Sequence, residues 1–494
     1  MAALMWISHA ERPLNPDELL YALAIEIGSP DLNSDNILST GTLLACCQGL
    51  IVIDKEASTV RLIHFTLQEY LRAHPQLFGT AHSTIAETCL SYLNSRQIMA
   101  LSAGPFPDLQ DTPFLEYSSL YWGIHAKRDL SEGAKLLALK LFGGYGSHIS
   151  TKILMKANGW YYPGLDSKPT LLSGLHCASA FGIDEIVAGL AEVEGCDIDQ
   201  GDDFGHTPLM WAAGGGNEGV VEILLGRYYA NPNKRSLYGE TPLWCAAESG
   251  REGVVKILLG RDDVNPEAPG LFGQTPLCCA AKGGHEGVVK VLLGRGGVNP
   301  NFGDVETPLS SAALNGHEGV VKILLGQDDI NPEKPDGVGQ TPLCCAASRG
   351  HEGVVKLLLE RGDVNPDHPA PDGGTPLGCA ANHGYEGVVK LLLERDDVNP
   401  NKPDNGGQTP LSRAVQSGHA GVVALLQPLA STTPSPTPEQ QATVPLTPSD
   451  YRYNSPRATS TRTTPTPQTR PLRPSPPSYS SRRTSSRISK GRPR

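Results

Sequence analysis

The side chains of this 494-residue chain whose types and spacing could do chemistry are its cysteines, its histidines and a set of serines and threonines that precede proline. Eleven cysteines include three adjacent pairs, Cys46-Cys47, Cys278-Cys279 and Cys344-Cys345. The odd number, the adjacency and the lack of any CxxC argue against a disulfide frame and against a zinc site. They read as reduced thiols, which points to the cytoplasm. His285, His317, His351 and His419 each follow a glycine and never stand closer than a whole repeat apart. That spacing suits hydrogen bonding to successive loops better than a shared metal. Thr433, Ser435, Thr437, Thr447, Ser455, Thr464, Thr466 and Ser475 each precede proline. They fit proline-directed phosphorylation, which adds up to about two negative charges per site. Ser485 follows Arg482-Arg483-Thr484, a pattern basophilic kinases read. The sequence holds no GxxxxGK[ST], HExxH, GxSxG or Gly-rich dinucleotide loop. No catalytic, cofactor-binding or metal-binding set is therefore assigned. The chemistry left is recognition.

The elements that would position such recognition announce themselves by period. Thr-Pro-Leu starts at Thr207, Thr241, Thr275, Thr307, Thr341, Thr375 and Thr409, so one interval is two positions shorter than the other five. A worn copy, Ser173-Gly174-Leu175, lies one full interval before the first. Nine places after each start stands a glycine: Gly182, Gly216, Gly250, Gly284, Gly316, Gly350, Gly384 and Gly418. A fixed period within the range of about 20–50 residues marks a solenoid. Within one copy, Thr is an N-cap, and Pro sits in the first turn, where its missing N–H costs nothing. Ala-Ala, as in Ala246-Ala247, lets neighbouring helices approach. The glycine ends the helix in a left-handed conformation. A second helix follows through Val-Val and a Leu pair, as in Val354-Val355-Lys356-Leu357-Leu358. Asn-Pro, as at Pro232, Pro266, Pro300, Pro332, Pro366 and Pro400, is expected to stop that helix and open an extended finger leading to the next Thr. One copy cannot bury its apolar face, so stacking must stabilise it.

These motifs resemble the ankyrin repeat, whose pattern is T-P-L-H-x-A followed by Gly-His and a second helix. The resemblance covers residues 165–430 as eight copies, the first degenerate. The motif histidine survives only as His176, and the Gly-His histidine is replaced by Asn217, Arg251 and Tyr385. In this family the concave face and finger tips bind protein partners, so residues that break the repeat become candidates. These are Trp211 and Trp244 on first helices, Tyr238, Phe272 and Phe302 near finger tips, and Arg349 and Arg413 on or after first helices. Aromatics and arginine are the usual anchors of an interface. The copy starting at Thr275 has the shortened finger, ending near Phe302-Gly303-Asp304.

Residues 1–160 read as a separate unit. Within residues 1–80, Arg12-Pro13-Leu14-Asn15-Pro16-Asp17-Glu18-Leu19-Leu20 reads as a cap followed by an amphipathic helix. Leu50 to Ile53 and Thr59 to Ile63 form two β-type runs around Asp54 to Ser58, a hairpin. His64 to Leu71 opens another helix. Helices plus a hairpin in this order suggest a winged helix, and residues 81–160 read as a helical extension. The runs Trp6-Ile7-Ser8, Arg12-Pro13-Leu14, Glu18-Leu19 and His64-Phe65-Thr66-Leu67-Gln68-Glu69-Tyr70-Leu71 are similar, over about residues 3–157, to the winged-helix segment of fungal NACHT–ankyrin proteins, which look like NOD-like signal-transduction NTPases. The resemblance implies an NTPase module ahead of this segment and an ankyrin array acting as sensor. With no P-loop, the family's nucleotide-binding residues have nothing to map onto, and the NTPase half is expected to be absent. Residues 1–80 carry 4 Lys/Arg and 9 Asp/Glu, which argues against nucleic acid as partner of the winged helix.

Composition sums unlike parts. Gly and Pro make up 54 and 41 of 494 residues, about 19 % against an ordinary share of about 12 %. Residues 431–494 hold 13 of the prolines, 11 Lys/Arg and 2 Asp/Glu, a net charge of +9. The remainder carries −20 of the chain's net −11. The tail reads as disordered, because it lacks apolar surface to offset ordering entropy. Arg487 to Arg494 is a candidate nuclear import patch. No run of about 18 apolar residues suggests a membrane span, and Met1 to Pro13 is not a secretory signal. The fold class is mainly α: an ankyrin solenoid preceded by a winged-helix and helical unit, with a disordered C-terminal tail. The expected function is a non-enzymatic scaffold or sensor that binds protein partners. Two other readings fit the same sequence: a nuclear regulator touching nucleic acid through its basic tail, and a remnant of a larger NACHT ATPase. Nothing in the sequence sets an oligomeric state.

Overall fold

Local capping chemistry starts the first helix of every repeat, and the computed structural model shows what each helix then packs against. It describes residues 1–101, 111–143, 146, 148–157, 171–270, 273–303 and 305–430. The tail, with its phosphorylation candidates and import patch, lies outside the described residues.

Helix α1 (Ala2–His9) precedes α2 (Pro16–Ala24), which opens on a reciprocal cap. The Asn15 side chain accepts from Glu18 N, and the Glu18 carboxylate accepts from Asn15 N, both at 2.8 Å. Arg12 adds a bidentate pair to Glu18, whose side chain is only 3 % exposed. After α3 (Thr40–Cys46), strands β1 (Ile51–Asp54) and β2 (Thr59–Leu62) pair antiparallel with Ile51 opposite Leu62. Asp54 Oδ1 accepts from Glu56 N and Ala57 N and shapes the turn. Helix α4 (Phe65–Ala73) closes the winged helix.

The extension consists of α5 (Ala81–Leu93), α6 (Arg96–Leu101), α7 (Leu115–Arg128), α8 (Glu132–Phe142) and α9 (Ile149–Ala157). Its core is aromatic: Trp6 reaches in from α1 against Phe114 at 5.6 Å and Tyr117 at 6.0 Å, and Tyr92 meets Phe114 at 5.4 Å. The extension does not stand apart from the repeats. Trp122 of α7 is fully buried between Phe142 of α8 and Phe181 at the end of the first repeat helix. A Cβ on Gly123 would overlap the Phe181 ring, so glycine permits the approach. The first and second repeat helices thus find α7 and α8 stacked on them, and a continuous apolar core runs from Ala3 to Leu426.

The repeats form eight helix pairs, from α10 (Gly174–Phe181) and α11 (Asp184–Ala191) to α24 (Pro410–Gln416) and α25 (Ala420–Ala430). In all seven Thr-Pro copies the Thr hydroxyl accepts from the backbone N–H three places on. In the first, Ser173 and His176 close a reciprocal cap instead. All eight expected glycines are left-handed, with φ between +69° and +78°. From the second copy on, the residue after the glycine reaches back to the preceding copy, Tyr385 by packing against Gly350 and the others by hydrogen bonds. His285, His317, His351 and His419 donate through Nε2 to the carbonyls of Glu248, Lys282, Leu314 and Asn382 at 2.9–3.1 Å. Arg251 Nε donates to Gly214 O at 3.0 Å, and Asn217 Nδ2 to Ser179 O at 2.8 Å. Different residue types therefore perform one task.

The fingers differ from expectation. The second helices end well before Asn-Pro, as α13 (Glu218–Gly226) does ahead of Asn231, so proline does not stop them. Asn-Pro instead begins a tight turn whose side chains clasp the copies together. Asn265, Asn299, Asn331, Asn365 and Asn399 each donate N–H to the side chain two places after the preceding copy's Asn, and Asn231 donates to its counterpart Asp199. The finger is a pair of turns, and the described residues of the repeats contain no strand.

Candidate partner-binding face

The first helices and the fingers share one face, because finger groups cap first-helix side chains. Trp211 Nε1 donates to Asp202 Oδ2 at 3.0 Å, Cys278 Sγ to Glu306 O at 3.3 Å and Ser311 Oγ to Glu306 Oε2 at 2.9 Å. The expected anchors separate on this geometry. Trp211 and Trp244 are buried, at 9 % and 7 % exposure, and the Trp244 indole donates to Gln274 O at 3.1 Å. Each is a wedge between copies with its polar tip satisfied, not an exposed anchor. Arg413 is likewise engaged: its guanidinium holds Asp404 at 2.5 Å and Asp372 at 3.0 Å, which joins the last two fingers. Phe302 is half-buried, its carbonyl accepting from Cys278 Sγ at 3.4 Å. Phe272 lies outside the described residues. Tyr238 and Arg349 are exposed. Tyr238 stands at a finger tip, stacked on Phe204 of the preceding tip at 6.3 Å, beside Leu237, which is 75 % exposed.

Apart from Arg349, sequence reading missed the position just before each helix-ending glycine or one place ahead of it. There the structure exposes Glu248, Lys282, Asn315, His383 and Ser417 as well. The signal was present: charge and size vary at these positions while the flanking Ala-Ala and Gly recur. Finger tips add Leu237, Val305 and Val338, at 75 %, 42 % and 65 % exposure.

A linked set of charges lies on this face in the second to fourth copies. His206 lies between Glu240, at 2.8 Å, and Asp202, at 3.5 Å. Burial pulls its pKa down, but hydrogen bonds to those two carboxylates outweigh it and raise the imidazole to about 9. Ser236 Oγ also donates to Glu240, at 2.9 Å. Glu248 is pushed up to about 7, first by partial desolvation of its carboxyl and then by the charge of Glu240. Lys282 answers Glu306 at 3.7 Å. The thiols beneath are poor nucleophiles. Burial pushes Cys278 and Cys379 up to about 11 and Cys344 to about 12. Among the described residues no three His, Cys, Asp or Glu side chains are grouped to hold a metal. No described helix is long and apolar enough to cross a membrane. The arrangement can grip a polypeptide through varied polar and apolar side chains on a rigid frame.

Comparison with known families agrees with this geometry. The family model described as ankyrin repeats (3 copies) matches residues 175–269, 261–336, 293–368 and 343–433, which together span just over half the chain. A second model, the winged helix domain of GPI inositol-deacylase, matches residues 1–81. No curated protein matches the chain.

Proposed function

As the chain belongs to the ankyrin-repeat family, we propose that its repeat array is a protein-binding scaffold or sensor, the recognition part of a NOD-like signalling system. The observation that carries this reading is the contrast on one face. Caps, Ala-Ala pairs and helix-ending glycines recur from copy to copy, while the exposed positions beside them change in charge, size and aromaticity. A frame held constant under a variable surface is suited to selecting a partner by its shape and charge. The winged helix supports the NOD-like context through its similarity to the segment that joins NTPase to repeats in NACHT–ankyrin proteins. We read the chain as non-enzymatic and cytoplasmic, in keeping with its odd number of cysteines and its buried, high-pKa thiols.

The test is quantitative capture of host proteins by the full chain and by a Tyr238→Ala/Arg349→Ala/His383→Ala variant. At least one protein is expected to be retained by the wild type and lost, tenfold or more, from the variant. Equal capture of every protein by both would overturn the assignment to this face.

A further inference from the structure

Three elements from two units of the chain meet at a cluster of imidazoles. His9 ends α1, His82 lies in the first turn of α5, and His125 lies near the end of α7. His82 Nδ1 is 2.8 Å from His125 Nδ1, and His125 Nε2 is 2.9 Å from Tyr117 Oη. The Tyr117 hydroxyl in turn accepts from Glu11 N–H at 3.1 Å. The His9 ring packs edge-on to His82 and to Phe78, each at 5.4 Å. This chain of contacts lies where the winged helix docks on the extension, beside the Trp6 aromatic cluster and the Arg128–Glu11 ion pair. The other charged or titratable groups facing it are Arg12 from the segment after α1, Cys89 of α5, Glu116 and Tyr121 of α7, and Asp129 beyond it.

Two ring nitrogens 2.8 Å apart attract only if one carries the hydrogen and the other presents a lone pair. At least one ring must therefore be neutral. A proton on His82 can be met by reversing the donor order along the chain, but the Tyr117 hydroxyl must then find another acceptor. A proton on both rings leaves two N–H groups facing each other, with Arg128 close by and its nearest counter-charge, Glu11, already engaged.

We propose that the His82–His125 pair, which joins α5 to α7 beneath His9 and Glu11, is a pH-sensitive latch: it keeps the seat of α1 on the helical extension closed at neutral pH and opens it on acidification. Burial holds His125 down at about 3, with the charges of His82 and Arg128 adding to it, and burial also lowers His82. Both depressions favour the neutral rings in the docked state. A released histidine takes up its proton near 6.5. A group whose docked pKa is depressed favours docking above 6.5 and loses that advantage as pH falls below it. One pH unit below 6.5, a freed His125 shifts the balance about tenfold toward release, and His82 adds in the same direction. Because α7 also buries Trp122 against Phe181, the loosened helix is one that caps the repeat array. His148 and His176, each held at about 4 by burial, add a general acid sensitivity, but they sit on other elements.

Hydrogen exchange on the full chain tests the latch, with intrinsic rates corrected at pH 7.5 and 5.5. Protection of the α1 amides is expected to fall about tenfold or more at pH 5.5 in the wild type, and to hold in a His82→Gln/His125→Gln variant. Glutamine keeps a hydrogen-bonding group without a proton to gain. First helices of the fourth to sixth copies are expected to stay protected in both proteins. Equal wild-type protection of α1 at the two pH values overturns the proposal, as does an undiminished response in the variant. If the double variant fails to fold at pH 7.5, His82→Gln alone decides: a response smaller than wild type supports the latch, and an equal one removes it.

Discussion

The N-terminal unit and the repeat array solve one problem, burying apolar surface, in opposite ways. In the unit, singular large residues do the work: Trp6, Phe114, Tyr117 and Trp122 each sit in a place nothing else in the chain copies. In the array, small and medium residues recur: Ala-Ala, Val-Val and Leu are buried in copy after copy. A loss in the unit has no neighbour to absorb it. A loss in the array is shared between two interfaces of a nearest-neighbour stack. Trp122 belongs to both descriptions, since it is a singular aromatic that closes the first repeat.

Trp122→Ala should therefore have the largest effect, about 3–5 kcal/mol, read from the guanidinium midpoint of the full chain. A loss below about 1 kcal/mol would show that the extension does not cap the array. pH separates the two regions next. His206 has a raised pKa in the fold, so its stabilisation is complete below 6.5 and is lost as pH rises through about 9. His125 is depressed, so its stabilisation is lost as pH falls below 6.5. Thermal midpoints should fall on both sides of neutrality, and His206→Gln should flatten the alkaline limb alone.

Gly350 and Gly418 sharpen the nearest-neighbour idea. Both have left-handed φ, +75° and +77°, but a Cβ on Gly350 would press on the Tyr385 ring of the next copy at 2.6 Å, while nothing lies within 4 Å of Gly418. Gly350→Ala should cost about 2 kcal/mol and Gly418→Ala about 1 kcal/mol. Equal costs would mean the contact between copies adds nothing. Asn301→Ala removes a donor to Asp329 O and an acceptor for Asn331 N, both at 2.7 Å. It should cost about 1 kcal/mol in chemical denaturation, because the site is exposed. Tyr229→Gly should be the smallest change and of opposite sign. Tyr229 is 84 % exposed with φ +54°, whereas the same place two copies on is Gly297. Relieving that conformation should raise stability by about 0.5–1 kcal/mol.

Most of the architecture was legible because its causes are local. A Thr cap, a Pro in the first turn and a left-handed glycine act within one helix, so the chain spells them out in every copy. The hairpin from Ile51 to Leu62 and a capped helix start ahead of Leu19 were equally readable. The candidate face was less so. Trp211, Trp244 and Arg413 broke the repeat and looked like anchors, yet they are absorbed by Asp202, the Gln274 carbonyl and Asp404. Rarity in a repeat signals a changed local need, and filling a gap between copies is as good a reason as binding a partner.

By itself the sequence determined the period, the starts and ends of the first helices and the helices' apolar faces, since each follows from neighbours within a few positions along the chain. Only tertiary structure decided what depends on side chains a whole repeat apart. It turned Asn-Pro from a helix stop into a clasp between copies. It explained why Gly353 recurs as glycine in other copies, since the Glu318 carboxylate of the preceding copy occupies the place a Cβ would need. It also joined His82 to His125 across two helices. Such contacts leave no periodic trace in the chain, because the partner is set by how the helices stack and not by distance along the sequence.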